Sequence, residues 1–299
     1  MAAKRSDSPW KRNTSGSKPK KDNFEVFKKK SNPKAEKQND VRKEKKMKAQ
    51  AEKEVVRDML GDSPIRLNRF IALAGVCSRR EADELIKNGE IKVNGKVVKE
   101  MGLKVDPTKD KVVYAKGELK IKRFTYLLMN KPKDHISTVK DEKGRRTVMH
   151  LVRKYTKTRV YPVGRLDRNT TGLLLFTNDG DLTKRLTHPS FEVPKIYNVR
   201  LDKEVDAEHL EALRKGIKLD DGPIKADKID YVEPDLLNEV GVEIHSGRNR
   251  IVRRMFEHFG YKVVALDRVR FGPLTKKNLP RGTCRILDAK EIGFLKMLK

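Results

Sequence analysis

The stretch "GRLDRNTTGLLLFTNDGDL", from Gly164 to Leu182, sets one carboxylate between two arginines and then runs into hydrocarbon side chains. An apolar run bounded by turn residues is typical of a buried strand. Asp167 precedes that strand, with Arg165 and Arg168 on either side. By itself Asp167 fits two interpretations, a salt-bridged turn or a carboxylate presented to a polyanion, and other parts of the chain must separate them.

Strand-like and helical segments alternate irregularly around this stretch. The strand-like runs include "TYLLMNKP", "VYPVG", "KIYNVRL", "KADKIDYVE", "EVGVEIHSG" and "YKVVALDRVRFG", and the helical ones are "DLTKRLTH", "DAEHLEALRKG" and "NRIVRRMFEHFG". Several strands alternate apolar and polar residues, which indicates a mixed or antiparallel sheet with one face wetter than the other. Regular strand–helix alternation is missing, so a Rossmann-like fold or a barrel is not expected. We predict an α+β fold, with a mixed or antiparallel central sheet in a domain over residues 123–299.

A smaller module is predicted upstream, over residues 62–122. "RLNRFIALAG" carries apolar residues on one helical face, and "SRREADELIKNG" opens with Ser78 and Glu81 at the spacing of a capping box. "EIKVNGKVV" is two alternating strands around Asn-Gly, a strong hairpin signal. The sequence therefore predicts a helix, a second helix and a hairpin in a small αα-β module.

The chain is strongly basic, with 70 Lys and Arg against 42 Asp and Glu and a net charge of +28. A field of this size attracts polyanions, so nucleic acid is the expected partner. The two cysteines lack metal-type spacing, and neither a secretory signal nor an apolar stretch of membrane length is visible. These features predict a cytoplasmic protein.

The first 61 residues differ in composition from the remainder. Residues 1–60 hold 19 Lys and Arg against 9 Asp and Glu and almost no periodic apolar residues. Such a segment buries too little apolar surface to offset the entropy of ordering. We predict a disordered basic tail over residues 1–61, with a short helix near "KEKKMKAQAEKEVVRDML".

Two arginine clusters indicate anion binding. Arg79 and Arg80 lie in the first turn of a predicted helix, where acidic residues are normally favoured, so a phosphate partner is expected. "GRNRIVRRMFEHFG" places four arginines within seven residues at another predicted helix start. Either they form a solvated basic face or they clamp a phosphate or carboxylate. The planar guanidinium, which pairs bidentately, favours the clamp.

On these motifs the chain resembles the RNA pseudouridine synthases that act on ribosomal RNA. Its predicted module is similar to the S4-type RNA-binding domain, and "GRLDRNTTGLLLFT", "KIYNV" and "GRNRIVRRMFEHFG" follow in the family's order. Further similarity in "KLDDGPIKADKIDYV", "RVRFGPL" and "LPRGTCRILD" points towards the B-type enzymes that act on RNA of the large ribosomal subunit. The resemblance runs from about Ile65 to the C-terminus.

The resemblance implies an isomerase that flips one uridine out of ribosomal RNA and reattaches its base through carbon C5, without metal or cofactor. Asp167 would be the catalytic aspartate, either attacking C1′ or removing the C2′ proton. Tyr197 would stack on the base, and Arg253 would pair with the aspartate, although Arg250 is close enough to take that position. The residues expected to contact RNA are Arg66, Arg79, Arg80, Lys92, Asn94, Lys96, Lys131, Arg165, Arg168, Arg248, Arg250 and Arg254. A monomer that acts on free rRNA or an assembling ribosomal particle is expected.

Two other functions compete with this one. A binding protein without catalysis, such as a ribosome assembly factor, explains the charge but not the placement of Asp167. A histone-like DNA protein is favoured only by the basic tail. A calcium loop at Asp167 is rejected because its twelfth position is Asn178 instead of a bidentate Glu.

Overall fold

The computed structural model describes residues 33–115 and 117–298. Its first element is the helix α1 (Pro33–Leu60). This differs from the disordered tail with a short helix that composition predicts, since the helix begins well before that short segment. The physical reason is propensity: the helix sequence is rich in Lys, Glu, Ala and Gln, which favour helix even without an apolar face. Residues 1–32 of the predicted tail lie outside the described residues.

The N-terminal module, residues 62–122, contains two helices and short strands. Its elements are β1 (Ile65–Arg66), α2 (Leu67–Leu73), α3 (Arg79–Lys87), β2 (Ile91–Val93), β3 (Lys96–Val98), β4 (Lys104–Val105), β5 (Val112–Tyr114) and β6 (Gly117–Glu118). The predicted capping box is confirmed: the Ser78 hydroxyl accepts from the Glu81 amide, and the Glu81 carboxylate accepts from the Ser78 amide. The predicted hairpin is also confirmed, since β2 and β3 pair antiparallel around Asn94 and Gly95, both at positive φ.

The sheet domain, residues 123–299, is built on one nine-stranded sheet. Its elements are β7 (Tyr126–Lys131), α4 (Met149–Val152), β8 (Tyr161–Pro162), β9 (Thr171–Thr177), α5 (Gly180–Thr187), a 3₁₀ turn (Pro189–Phe191), β10 (Lys195–Leu201), α6 (Ala207–Lys215), β11 (Ile217–Leu219), β12 (Gly222–Ile224), β13 (Lys228–Tyr231), β14 (Glu239–Ile244), α7 (Ile251–Glu257), β15 (Val263–Phe271), β16 (Leu274–Thr275), β17 (Cys284–Ile286) and α8 (Ala289–Met297). The sheet order is β13-β14-β10-β15-β9-β7-β17, with β16 on β15 and β8 on β9. Every pairing among these described strands is antiparallel except that of β9 with β15, which confirms the predicted mixed sheet in an α+β fold.

The central strands are buried on both faces, unlike the half-wet sheet that alternation predicts. All seven residues of β9 and all six of β7 are buried, whereas β14 alternates buried and half-buried positions. One face of β7 and β9 packs against residues of α5 and α8, and the other packs against α4. Alternation therefore describes the outer strand β14, while helices from distant parts of the chain cover the middle of the sheet.

The parallel pair β9–β15 comes together at a glycine. Gly172 lies opposite Arg268 and has a φ of +107°, a conformation that favours glycine. A Cβ at position 172 would lie 2.5 Å from the backbone nitrogen of Arg268 and closer still to its carbonyl oxygen. The sheet can therefore close at this point only because residue 172 lacks a side chain.

No helix among the described residues is long and apolar enough to cross a membrane.

Candidate active site

The loop between β8 and β9 carries Asp167, and two side chains hold its backbone by hydrogen bonds. The ammonium of Lys131 donates to the carbonyl oxygens of Asp167, Arg168 and Thr170 at 3.0, 3.1 and 2.8 Å, and to that of the adjacent proline at 3.2 Å. The hydroxyl of Ser137 donates to the carbonyl of Leu166 and accepts from its amide. These bonds hold the loop backbone on both sides of Asp167.

Lys131 was expected to contact RNA, and the structure contradicts that expectation. Its side chain is fully buried at the end of β7, and three of its four carbonyl acceptors belong to the Asp167 loop. Burial lowers the pKa of Lys131 to about 8, against the opposing effect of the Asp167 and Asp134 charges. The sequence prediction was wrong because a basic residue was taken as exposed, although it ends an otherwise apolar strand.

Asp167 lies between two guanidinium groups. Its Oδ2 is 3.7 Å from Nε of Arg253 and 3.9 Å from Nη1 of Arg250. The Asp167 side chain is 38 % exposed and the Arg253 side chain only 11 %, so the carboxylate is accessible while one partner is not. Both arginines that the sequence left in competition for this role are thus at the carboxylate.

The two arginines are positioned by different means. Arg250 caps the start of α7 with a φ of 47°, which places a non-glycine residue in the left-handed region. Such a conformation costs about 1–3 kcal/mol and is concentrated at functional sites. Arg253 instead donates from Nη1 to the carbonyl of Val263 on β15, at 3.0 Å. The strained cap directs Arg250 and the strand anchors Arg253, so that both face the same carboxylate.

A cavity of about 160 Å³ opens beside Asp167. Tyr197, on β10, lies in its wall, and it pairs with Arg268 across the neighbouring strand β15. Arg268 also lines the cavity and is only 3 % exposed. Of the described residues that line this cavity, Asp167 is the only acid. The site therefore combines one carboxylate, an aromatic ring and several cations.

Two arginines of the predicted clamp, Arg248 and Arg254, are hydrogen-bonded to an acceptor within the protein. Arg254 donates to a carboxylate oxygen of Asp221 at 2.7 Å, and Arg248 donates to the other oxygen and to the backbone of the β11–β12 hairpin. The hydrogen bond from Arg254 lowers the pKa of Asp221. These two arginines therefore clamp an internal carboxylate, which leaves little of either side chain for RNA.

The other residues predicted to contact RNA lie at the surface, with one qualification. Arg66, Arg79, Arg80, Lys92, Asn94, Lys96, Arg165 and Arg168 are exposed. The Asn94 side chain, however, donates to Asp110 and accepts from the backbone of Lys111, which ties the hairpin to the loop before β5. Arg168 pairs with Asp134 at 3.1 Å. The structure thus leaves a set of exposed cations on the N-terminal module and two more around the Asp167 loop.

Two residues of this site were missed by the sequence reasoning. Ser137 lies shortly after "NKP" and had no distinguishing pattern. Arg268 lies in the strand-like run "YKVVALDRVRFG", where alternation places it on the same face of the strand as Leu266, and this was a usable signal. Among the described residues, no group of three or more His, Cys, Asp or Glu could hold a metal ion.

What this arrangement can do chemically is limited by its single carboxylate. An acid and base pair, as used in glycoside hydrolysis, needs two carboxyl groups flanking one bond. One accessible carboxylate between fixed cations is suited to act as a nucleophile or as a base at one atom. The aromatic wall offers a planar surface to a flat substrate.

Comparison with known proteins gives consistent matches over both parts of the chain. The family described as RNA pseudouridylate synthase matches residues 125–258, and the S4 domain matches residues 65–117. Ribosomal large subunit pseudouridine synthase B of Bacillus subtilis is 42 % identical over 238 residues, 78 % of this chain and 96 % of that protein. The protein of the same name from Yersinia pestis is 39 % identical over 241 residues, 78 % of this chain and 76 % of that one. A crystal structure of a pseudouridylate synthase superposes with a TM-score of 0.55 at 29 % identity, covering 77 % of this chain and 99 % of that one.

Proposed function

Because the chain belongs to the RNA pseudouridylate synthase family, we propose that it converts a uridine of large-subunit ribosomal RNA into pseudouridine, with Asp167 as the catalytic carboxylate. The chain is an isomerase that carries an S4 RNA-binding domain. The choice of the large subunit follows the name of the B-type synthases, to which it is about two-fifths identical. We further propose that it works as a monomer in the cytoplasm.

The observation that carries this proposal is the position of Asp167. Its loop is fixed by Lys131 and Ser137, its carboxylate lies between Arg250 and Arg253, and it borders a cavity with Tyr197 in the wall. A carboxylate needed only to cap a turn would not require two arginines and an adjoining cavity. The geometry therefore supports a reactive group over a structural one.

Two routes for the reaction use the same residues. In one, a carboxylate oxygen of Asp167 attacks C1′, and the bond from C1′ to N1 of uracil breaks. In the other, Asp167 removes the proton from C2′, and the same bond breaks as a glycal forms. In both, the detached ring turns and C5 bonds to C1′. Asp167 is regenerated at that step, because its ester bond to C1′ breaks on the first route and it returns its proton to C2′ on the second. The proton on C5 is then removed and one is placed on N1, so the product is an isomer of the substrate.

The neighbouring residues have distinct parts in these steps. Arg250 and Arg253 flank the carboxylate and hold it in one orientation. Tyr197 offers a ring on which the flipped uracil stacks, a contact typically worth about 1–3 kcal/mol. That contact offsets part of the cost of unstacking the base, about a few kcal/mol. A flipped nucleotide that fills the cavity displaces water from C1′, where water would otherwise cleave the base from the sugar.

The domain organisation that we propose has a basic segment over 1–61, an S4 domain over 62–122 and a catalytic domain over 123–299. The matched ranges 65–117 and 125–258 support the second and third divisions. The exposed cations of the S4 domain would bind RNA phosphates and bring the target uridine to the cavity. RNA recognition and chemistry would then be separated between the two domains.

The first experiment maps pseudouridines in both ribosomal RNAs by carbodiimide-coupled primer extension. It uses a strain lacking this gene, complemented with wild type or with Asp167→Asn. We expect one stop in the large-subunit RNA to disappear in the deletion and to return only with wild type. Persistence of every stop in the deletion would refute a ribosomal target. Loss of a stop in the small-subunit RNA would instead refute the choice of ribosomal subunit.

A further inference from the structure

Among the described residues, Arg268 is a buried guanidinium without a carboxylate partner. Its Nε donates to the carbonyl of Leu173 at 2.8 Å. The central carbon of its guanidinium, Cζ, lies 4.7 Å from the centre of the Phe271 ring. Nη2 is buried and has no hydrogen-bond partner among the described residues. The adjacent Asp267 is turned away, towards Thr171, Lys276 and Arg281. A buried, unpaired N–H group of a cation is costly, so it indicates a ligand.

The residue that carries this unpaired group lies in the wall of the cavity. Arg268 lines the cavity with Asp167 and Tyr197, opposite Tyr197 across the β10–β15 ladder. Lys195, at the start of β10, lines the same cavity and donates to two backbone carbonyls. Burial, followed by the charge of Arg268, lowers the pKa of Lys195 to about 8. Two buried or half-buried cations that make no ion pair with Asp167 thus line the cavity.

The reaction itself produces an anion that needs such a cation. When the bond between C1′ and N1 breaks, its electron pair stays on uracil. On the nucleophilic route Asp167 becomes a neutral ester, and on the glycal route it becomes a neutral acid. In both cases the negative charge that begins on Asp167 ends on the uracil ring, spread over its ring nitrogen and carbonyl oxygens. Arg250 and Arg253 lie beside the Asp167 carboxylate, where the negative charge begins. A different cation is needed to stabilise that charge once it is on the uracil ring.

We propose that Arg268 binds the uracil of the flipped nucleotide through Nη2 and stabilises the negative charge of the ring after the glycosidic bond breaks. This inference rests on the proposed function. Arg268 would then be a catalytic residue for leaving-group stabilisation, comparable in its physics to a donor of an oxyanion hole. When C5 bonds to C1′, the negative charge leaves the ring and returns to the Asp167 carboxylate. The C5 proton is then removed and N1 is protonated, so the neutral product is released.

A backbone phosphate is the other anion that Arg268 could take, and its depth in the cavity favours the base. The phosphates of a flipped nucleotide remain joined to its neighbours, so they stay near the mouth while the base enters first. Arg268 is 3 % exposed, whereas Arg165 and Arg250, which also line the cavity, are exposed. The exposed arginines are therefore suited to phosphate and the buried one to the ring.

The test compares Arg268→Met with wild type on two RNAs. One is a transcript that carries the mapped target uridine, and the other has 5-fluorouridine at that position. Single-turnover loss of the N1-linked nucleoside is measured after nuclease digestion, and RNA affinity is measured separately. Fluorine withdraws electrons and stabilises the ring anion, so cleavage of 5-fluorouridine depends less on Arg268. We expect a loss of about 10²-fold on uridine, as for an oxyanion-hole donor, a clearly smaller loss on 5-fluorouridine and unchanged affinity.

Arg270→Met is the matched control, because Arg270 is exposed on the same strand and does not line the cavity. It should leave both rates unchanged. Arg268→Lys, which keeps the charge, guards against misfolding of Arg268→Met and should lose less, again with the larger loss on uridine. Equal losses on the two bases, or a loss confined to affinity, would overturn the proposal. Failure of wild type to act on the transcript would instead count against the proposed function.

Discussion

The N-terminal module and the cavity of the sheet domain use positive charge in opposite ways. Arg79, Arg80 and Lys92 of the module are exposed, whereas Lys131 under the Asp167 loop and Arg268 at the cavity are almost fully buried. An exposed cation acts through a screened field, and each one contributes a similar, small amount to binding of a polyanion. A buried cation acts through particular acceptors at fixed distances. The basic residues behind the net charge of +28 are therefore of two kinds, exposed and buried, and the two kinds have separate functions.

The largest effect is expected when the carboxylate of Asp167 is removed. Asp167→Asn keeps the shape of the side chain but loses the nucleophile or base, so single-turnover conversion should fall by at least about 10⁴-fold. RNA affinity should stay within about twofold of wild type, since the module and its phosphate contacts are untouched. Asp134→Asn is the control, because Asp134 is exposed and its pair with Arg168 is worth little. Measurable turnover by pure Asp167→Asn would remove Asp167 from its proposed role.

Lys131→Met tests whether a buried cation of the site is structural. It leaves four backbone carbonyls without their donor, so the free energy of unfolding should fall by about 3 kcal/mol. Displacement of the Asp167 loop should also slow conversion by about 10²-fold. Denaturant unfolding and single-turnover assays measure the two effects. Lys133→Met, at an exposed neighbour, should change neither. A stable, active Lys131→Met would show that the loop is held without its ammonium.

Gly172→Ala tests the close approach that brings Arg268 to the cavity. A Cβ would meet the backbone of Arg268, so β9 and β15 would have to separate, and the free energy of unfolding should fall by about 2–4 kcal/mol. Gly144→Ala separates strain from clash, since Gly144 also has positive φ but nothing lies within 4 Å of its Cβ position. That variant should lose about 1 kcal/mol. Equal losses for the two variants in urea unfolding would contradict the packing explanation.

The smallest effect is expected in the module. Replacing both Arg79 and Arg80 by Ala should weaken RNA binding by about tenfold and reduce the salt dependence of the binding constant by about one unit per arginine. At saturating enzyme the single-turnover rate should match wild type, because no group at the cavity has changed. Lys290→Ala, at an exposed site of α8, is the control for loss of charge. A lower single-turnover rate at saturating enzyme would contradict the view that exposed cations of the module act only in RNA binding.

Local patterns predicted the local structure well. The capping box at Ser78, the Asn-Gly hairpin and the strand around Leu173 depend on neighbours in the chain, and all three are present. The extent of α1 was underestimated, because charge was given more weight than helix propensity. The burial of β7 and β9 on both faces could not be predicted from alternation, since the covering helices α4, α5 and α8 are distant in sequence from at least one of the two strands.

The candidate site was predicted in its chemistry and less well in its geometry. Asp167, Tyr197 and Arg253, chosen by resemblance, lie together around one cavity or in contact with a residue that does. Lys131 was assigned to RNA and proves to anchor a loop, and Arg248 and Arg254 prove to bind Asp221. No pattern in the sequence distinguishes a cation with an internal acceptor from one that faces solvent, because the acceptor lies far away along the chain.

The two helices and the hairpin of the module, the mixed α+β class and the residue types available for chemistry were predictable from the sequence, because they depend on periodicity, capping and composition over short distances. Which of the described basic residues are buried, and what each one contacts, could be learned only from the folded structure. Burial and pairing are set by strands and loops that are distant along the chain. For example, β15 brings Arg268 beside Gly172 and Tyr197, and β7 brings Lys131 against the backbone of Asp167.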